Sequence, residues 1–598
     1  MKTYNLKIIA MAILLVMVSL TGCDEDYLKP EPLSFYTPEV LTTVDAMESL
    51  LVKSRRQIRT ERIGNNTYFR VEYLTSDTHV WGQFTDGVKD FNIQWTPTNT
   101  GQAKIFTHWN TAYWLFKELN TVISDISNIE GGTEERKNEI LAGAYFHRAF
   151  WYYRLVMQFG DVPAFDGAIV GPKLDFQTVS RDAIIDWLIK DMEWAVQHLP
   201  VDAPAGNESR GAGNHLLAKL YLADGNFDGA IEAASRLIDG SKYELMLEPF
   251  GTTNPPPDPR FEETPEYDVI WMLHQRENKS IAANKEVIMV SLDANEVEGG
   301  TSGGWSNGTF SLRDWTPLWW SPSFSNDPEG NTATVFEGEQ WNFIGRGIGR
   351  VRGNNHFNYG IWNEDTTDMR HNDLNWWGKE DYKVTNPESD YFGETVRPED
   401  SPDTIIYIYP FMANKLVIKD DNNIPQPQGG ISDLYVFRLA GTYLLRAEAY
   451  FYKGDLANAA ADINAVRGRA EARLIEPGEV TIDFIMDERA RELFWEEPRK
   501  CELTRVSYIL ADEGMMGYSR SNLTEKNYYY DRIMTVDNFY REDVLYGNFH
   551  YRLSPFHIHW PVPENTILAN TQGRINQNIG YQGAEENVAP LTEVPVLE

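Results

Sequence analysis

The sequence predicts a mainly α fold: helical hairpins form a scaffold, and a loop-rich region containing short strands packs on it. Three observations lead there. Residues 216–234, LLAKLYLADGNFDGAIEAA, recur in near copy as residues 445–463, LRAEAYFYKGDLANAAADI, without a gap, so that Ala218 falls on Ala447, Tyr221 on Tyr450, Gly225 on Gly454 and Ala230 on Ala459. In both copies apolar residues recur three and four apart around a glycine followed by Asn226 or Asp455, which is the pattern of helix, tight turn, helix. By contrast, residues 301–377 are rich in Gly, Asn, Asp and Thr and show no sustained helical period.

The N-terminus reads as an export signal. Lys2 and Lys7 precede an apolar run over 8–20 that is too short to span a bilayer as a mature helix, so 1–22 is expected to be a signal peptide. Leu20, Thr21, Gly22 and Cys23 resemble a bacterial lipobox, in which the cysteine is acylated; Cys23 is the expected lipidation site and the anchor to the outer membrane. Asp24, Glu25 and Asp26 resemble the acidic export signals that place some lipoproteins on the cell exterior. The chain has two cysteines, so a lipid on Cys23 leaves Cys501 without a disulfide partner, and Cys501 reads as a structural thiol.

Along the rest of the chain, 44–58 reads as a helix and 64–102 as loops. Residues 108–126 carry Trp109, Tyr113 and Phe116 along one apolar stripe, and 139–163 form a long aromatic helix closed by Gly160 and Pro163. After the first hairpin the run NPPPDP at 254–259 breaks any helix, and 267–273 and 286–292 read as short strands. No Pro/Ser-rich linker divides 23–598, which is expected to be one domain with helices over about 105–240 and 433–510 and a variable ligand-binding region over about 241–432.

Each hairpin copy resembles a tetratricopeptide (TPR) unit, a scaffold element that carries no chemistry of its own. A second resemblance is wider. The run GAYFHRAFWYYRLVMQFGDVP, with Arg148, Ala149, Tyr152, Leu155 and then Phe159 to Pro163, resembles the signature of the SusD/RagB family of outer-membrane nutrient-binding lipoproteins. Further landmarks follow in order: the helix at 181–200 ending in Leu-Pro; IMDERARELFWEEPRKCELTR at 485–505, an ERxxEL helix followed by an arginine and a Leu-x-Arg ending; and the closing WPVPENTILANTQGRINQNIGY at 560–581, where Val562 replaces the usual Ile and Ile579 the usual Pro. The resemblance implies a SusD-like fold, no catalysis, and delivery of a captured glycan to a SusC-like TonB-dependent transporter. A peptide ligand, as in the RagB branch, is the variant within the family; a lipid-anchored glycoside hydrolase and a protein-binding TPR scaffold are the alternatives outside it.

Composition narrows the ligand. A formal net charge of −34 makes nucleic acid a poor partner and suits a neutral or cationic ligand better than a polyanion. No cofactor or metal motif stands out. Gly300 to Gly304, GTSGG, fits G-x-S-x-G but lacks the flanking strand and helix of a nucleophile elbow. The GRGIG run at 345–349 reads as a flexible loop, and His557 and His559 lie two apart, which suits opposite faces of a strand better than one metal. The acid-rich run 487–497 reads as a solvated helix face held by pairs with Arg489 and Arg491.

Aromatic residues make up 13% of the chain, with 18 tryptophans, more than a core requires. Trp109, Trp114, Trp151, Trp187 and Trp194 fall on helical stretches and are expected in the core, whereas Trp81, Trp95, Trp315, Trp319 and Trp320 fall on irregular segments. Sugars offer flat C–H faces to aromatic rings and hydroxyls to polar groups. Trp81 or Trp95 is therefore expected to join Trp315, Trp319 or Trp320 in a ligand platform, with Arg70, Asn92 and Arg313 as polar partners.

Overall fold

The computed structural model describes residues 42–597, apart from 66–67, 86, 100–103, 170, 296, 298–299, 302–307, 322–324, 364, 398–411 and 422–424. The signal peptide, Cys23 and Ser302 to Gly304 of the GTSGG run lie outside the described residues.

Ten helices of twelve residues or more stand out among the described residues: α1 (Val44–Thr60), α2 (Ile105–Asp125), α3 (Glu134–Phe159), α4 (Arg181–His198), α5 (Arg210–Asp224), α6 (Phe227–Ile238), α7 (Leu439–Tyr452), α8 (Leu456–Arg469), α9 (Ile482–Leu493) and α10 (Arg499–Asp512). Most begin at a residue whose side chain caps the free backbone N–H groups: Thr43, Thr133, Ser180, Ser209 and Thr481 each accept from the amide three residues on. The two copies of the repeat are α5–α6 and α7–α8. Gly225 and Gly454 take φ of 79° and 75°, the left-handed turn conformation, and Asn226 and Asp455 then cap the second helix of each hairpin. The hairpins pack on each other through Leu222, Ala230, Leu445 and Ala449, with Ile509 of α10 closing the cluster and an ion pair from Lys453 to Asp228 at its edge.

The signature on α3 is structural. Arg148 is fully buried, pairs with Asp166 at 2.7 Å and Asp191 at 2.5 Å, and lies 4.0 Å over the Trp187 ring. Gly160 ends the helix at φ 68°, after which the Asp161 carboxylate accepts from the Arg181 amide at 2.8 Å and so joins α3 to the start of α4.

Short antiparallel strands tie the loops to this scaffold. In one pair β1 (His79–Trp81) lies beside β3 (Val351–Gly353), with His79 opposite Gly353 and Trp81 opposite Val351. In another, β2 (Val287–Ser291) pairs with β4 (Leu434–Arg438), which leads straight into α7. The stretch expected as a strand at 267–273 is instead a helix, Val269–His274, because Asp268 accepts from the Trp271 amide at 2.8 Å and supplies a cap that outweighs the strand preference of the β-branched residues.

The acid-rich run on α9 is not a solvated face. Glu488 accepts from Arg370 at 2.7 Å, Arg467 at 2.8 Å and Arg491 at 2.9 Å, while Glu492 meets Arg438 at 2.9 Å and also Arg370 and Arg469. All are buried. Burial by itself pushes the Glu488 carboxyl up, yet Arg370, Arg491 and Arg467 together hold it at about 2. Cys501 is buried too, and its burial raises the thiol well above its ordinary value, as suits an inert structural cysteine.

Candidate ligand-binding face

The β1–β3 pairing carries the early loops onto the middle region, and a ladder of backbone hydrogen bonds then fixes residues 311–320 against 345–350. Ile348 N–H donates to Arg313 O and Gly349 N–H to Thr316 O, both at 2.8 Å, and Gly82 N–H donates to Arg350 O at 2.9 Å. The GRGIG run is thus a packed segment and not a flexible loop. A Cβ on Gly347 would lie 2.4 Å from the carbonyl oxygens of Thr316 and Pro317, so only glycine allows the two segments to approach this closely.

Trp320 and Phe336 form the aromatic surface of this face. Their centroids lie 5.4 Å apart, Phe336 is 56% exposed and Trp320 half-buried, with Trp341 beneath them at 6.2 and 5.3 Å. The Arg346 guanidinium lies 4.7 Å over the Trp320 ring. Asp314 accepts from Arg70 at 3.0 Å and from Arg350 at 2.7 Å, so one carboxylate is shared by two guanidiniums. Burial, then Arg346 and Arg350, pull Arg313 down to about 10, and burial followed by Arg70 and Arg350 lowers Lys104 at the start of α2. Asp314 thus holds Arg70 and Arg350 next to Arg313, whose backbone oxygen accepts from Ile348, two residues after Arg346.

The expected platform is corrected in most of its members. Trp81, Trp95, Trp315 and Trp319 are between 2% and 4% exposed and serve as plugs. The Trp81 indole fills the space that a side chain at Gly87 would take, with Arg70 6.0 Å over its ring. Trp95 stacks on Phe91 at 4.3 Å and meets His557 and Trp560 edge-on, away from the other four. Trp315 sits edge-on to Tyr73, His79 and Phe494, and Trp319 donates its indole N–H to Gly345 O at 3.0 Å. Asn92 is exposed but accepts from Ser554 beside Trp95's segment, and Arg313 is only 8% exposed. Arg70 is 5% exposed and committed to Asp314.

What the structure brings together is Arg70, Arg313 and Trp320; what it does not bring with them is Trp95 and Asn92. The helical Trp114, expected in the core, is 45% exposed under Lys53, while Trp187 and Trp194 are partly covered. Phe336, Arg346 and Arg350 were missed by sequence reasoning. Their signal was two arginines spaced four apart among glycines in a strongly acidic chain, and one phenylalanine inside an acidic turn. His557 and His559 do not converge: His557 contacts the Ser554 backbone, and His559 contacts the Tyr508 hydroxyl at 2.7 Å.

Comparison with known proteins supports the assignment suggested by the signature. The sequence profile described as the SusD family matches residues 321–581, and a second, described as "Starch-binding associating with outer membrane", matches 31–222. The chain belongs to the SusD/RagB family. Among its SusD-like relatives, SusD-like protein P2 of Formosa agariphila is 29% identical over 258 residues, covering 42% of this chain and 49% of that protein. This chain thus spans about half the length of that relative. SusD-like protein P25 of the same organism is 24% identical over 424 residues, 67% of this chain and 70% of that one. In structure, a laminarin-binding SusD-like protein superposes with a TM-score of 0.60 at 20% identity, over 90% of this chain and 99% of the other, which establishes the shared SusD-like fold.

Proposed function

We propose that this protein is a glycan-binding lipoprotein of the outer membrane that captures a saccharide at the Trp320–Phe336 face and passes it to a SusC-like TonB-dependent transporter. Family membership supports the class, and the solved neighbour named for laminarin binding supports a carbohydrate ligand. The observation that carries the reading for this chain is the exposed Phe336 beside the half-buried Trp320, an apolar surface bordered by guanidiniums on a rigid loop ladder. Aromatic surface of this kind receives the C–H face of a pyranose, and the arginines donate to its oxygens. The anchor rests on Cys23, and Cys23→Ala is expected to release a folded protein from the membrane fraction.

The test is calorimetric titration of the purified chain against a panel of polysaccharides, with Trp320→Ala alongside. Trp320→Ala is expected to weaken binding by about tenfold or more and to leave the thermal midpoint nearly unchanged. Binding that survives both Trp320→Ala and Phe336→Ala undiminished would move the ligand away from this face.

A further inference from the structure

A second concave surface begins where β3 ends. It is a groove of about 390 Å³ between the segment that follows β3 and residues 535–541, lined by Asn355, His356, Tyr359, Asn363, Asn538 and Arg541. That volume lies within the range of small-molecule sites. The walls are fixed from beneath. Buried Asn354 donates to Asp77 O at 2.7 Å and to the Asp537 carboxylate at 2.8 Å, and the Asn355 N–H donates to Asn538 Oδ1 at 3.1 Å, so two segments far apart in sequence are tied together at the groove. His356 is held by Asp487 at 2.7 Å, and Asp487 by Arg532, which also pairs with buried Asp77.

The run NNHFNYGIWN at 354–363 carries four asparagines, and they divide into two kinds. Asn354 and Asn358 are buried and donate to backbone carbonyls. Asn355 and Asn363 are exposed, and among the described residues their side-chain amides make no hydrogen bond within the protein, nor does the Nδ2 of Asn538. Beside them Tyr359 is 44% exposed. The charges that border the groove are matched locally: His356 by Asp487, Arg541 by Glu542 at 3.0 Å, and Glu380, the acid that acts on Tyr359, by Lys379 at 3.7 Å. An amide offers a donor and an acceptor side by side, which matches a hydroxyl, itself both donor and acceptor. Outward amides beside an exposed ring, with the bordering charges paired, suit a ligand that has many hydroxyls, apolar C–H faces and no charge.

We infer that this groove is a second saccharide site, in which the Tyr359 ring takes the C–H face of a neutral sugar while Asn355, Asn363 and Asn538 bond to its hydroxyls. The assignment goes beyond the Trp320–Phe336 face and stands independently of it. Arg346, stacked on Trp320, and Asn355 lie within about 30 Å of each other even where the chain between them is fully extended, so one polysaccharide reaches both sites and is held more tightly than by either alone.

The experiment titrates the purified full chain calorimetrically with laminarin, soluble starch and a galactomannan, all neutral, and repeats the titrations with variants. Tyr359→Ala and Asn363→Ala, both at exposed positions, are each expected to weaken binding by about tenfold and to leave the thermal midpoint unchanged. The double variant Trp320→Ala, Phe336→Ala is expected to keep residual binding that Tyr359→Ala then removes. If Tyr359→Ala shifts the midpoint, Asn363→Ala decides. Undiminished binding in both Tyr359→Ala and Asn363→Ala overturns the groove and leaves the reading of the Trp320–Phe336 face standing, whereas loss confined to the groove variants keeps the groove and removes the face. No binding of any of the three glycans overturns both.

Discussion

Two clusters of arginines in this chain are handled in opposite ways. Beneath α9, Arg370, Arg438, Arg467 and Arg469 are buried against Glu286, Glu488, Glu492 and their acidic neighbours, and each guanidinium meets at least two carboxylates. At the loop face, Arg70 and Arg350 divide one carboxylate, and Arg346 stacks on a ring with a buried N–H left over. Charges taken out of water must be matched for the fold to survive, so the first cluster is accounted for by folding alone. In the second, Arg346 and Arg350 are only part-buried and are bordered by exposed aromatic surface, a combination that folding does not require. The lesson is that the density of charged residues says little about function, whereas incomplete matching beside a solvent-facing ring says a good deal.

The largest expected effect breaks the matched cluster. Glu488→Gln takes one carboxylate from Arg370 and from Arg467 and leaves Arg491 without an ion pair among the described residues, and is expected to destabilise the protein by about 3–5 kcal/mol in denaturant unfolding, with glycan preference unchanged in the protein that remains folded. The same cluster sets an acid limit. Because the Glu488 carboxyl is held at about 2 against an ordinary 4.5, its contribution to stability is complete above about pH 4.5 and is lost as pH falls through about 2. Glu208, held at about 2 by His147 and Arg55 against the upward push of burial, acts in the same window. Thermal midpoints measured from pH 7 down to about 3 should therefore begin to fall below about 4.5; a flat profile would contradict the matched-charge account.

A comparable loss separates two adjacent rings. Trp319→Ala removes a plug that is 2% exposed and is expected to cost about 3–5 kcal/mol of stability, whereas Trp320→Ala should act on binding first. Equal melting behaviour in the two variants would erase the distinction between interior and face. A smaller effect tests the scaffold by itself. Gly225→Val and Gly454→Val place a β-branched residue at positive φ, and since a Cβ on Gly454 meets nothing within 4 Å and on Gly225 only Glu513 at 4.0 Å, the loss of about 1–3 kcal/mol comes from backbone strain alone. Ligand preference should stay as it was, because neither glycine approaches the loop face.

The scaffold could be read from the chain because its causes are local. Gly225 and Gly454 at matching places in two copies, caps one residue later, and Gly160 closing a helix that carries Arg148 are written within a few residues of where they act. The SusD/RagB signature belongs to the same class of information. Tertiary structure alone decided which tryptophans face water. Trp319 and Trp320 are neighbours with the same side chain, and what sends one inward to the Gly345 carbonyl and leaves the other under Arg346 is a segment 26 residues further on that approaches through glycines. Likewise the acids of α9 looked solvated because their partners, Arg370, Arg438 and Arg467, lie far away in sequence. Burial and charge balance are properties of contacts between distant segments, and a side chain's own neighbours in the chain do not determine them.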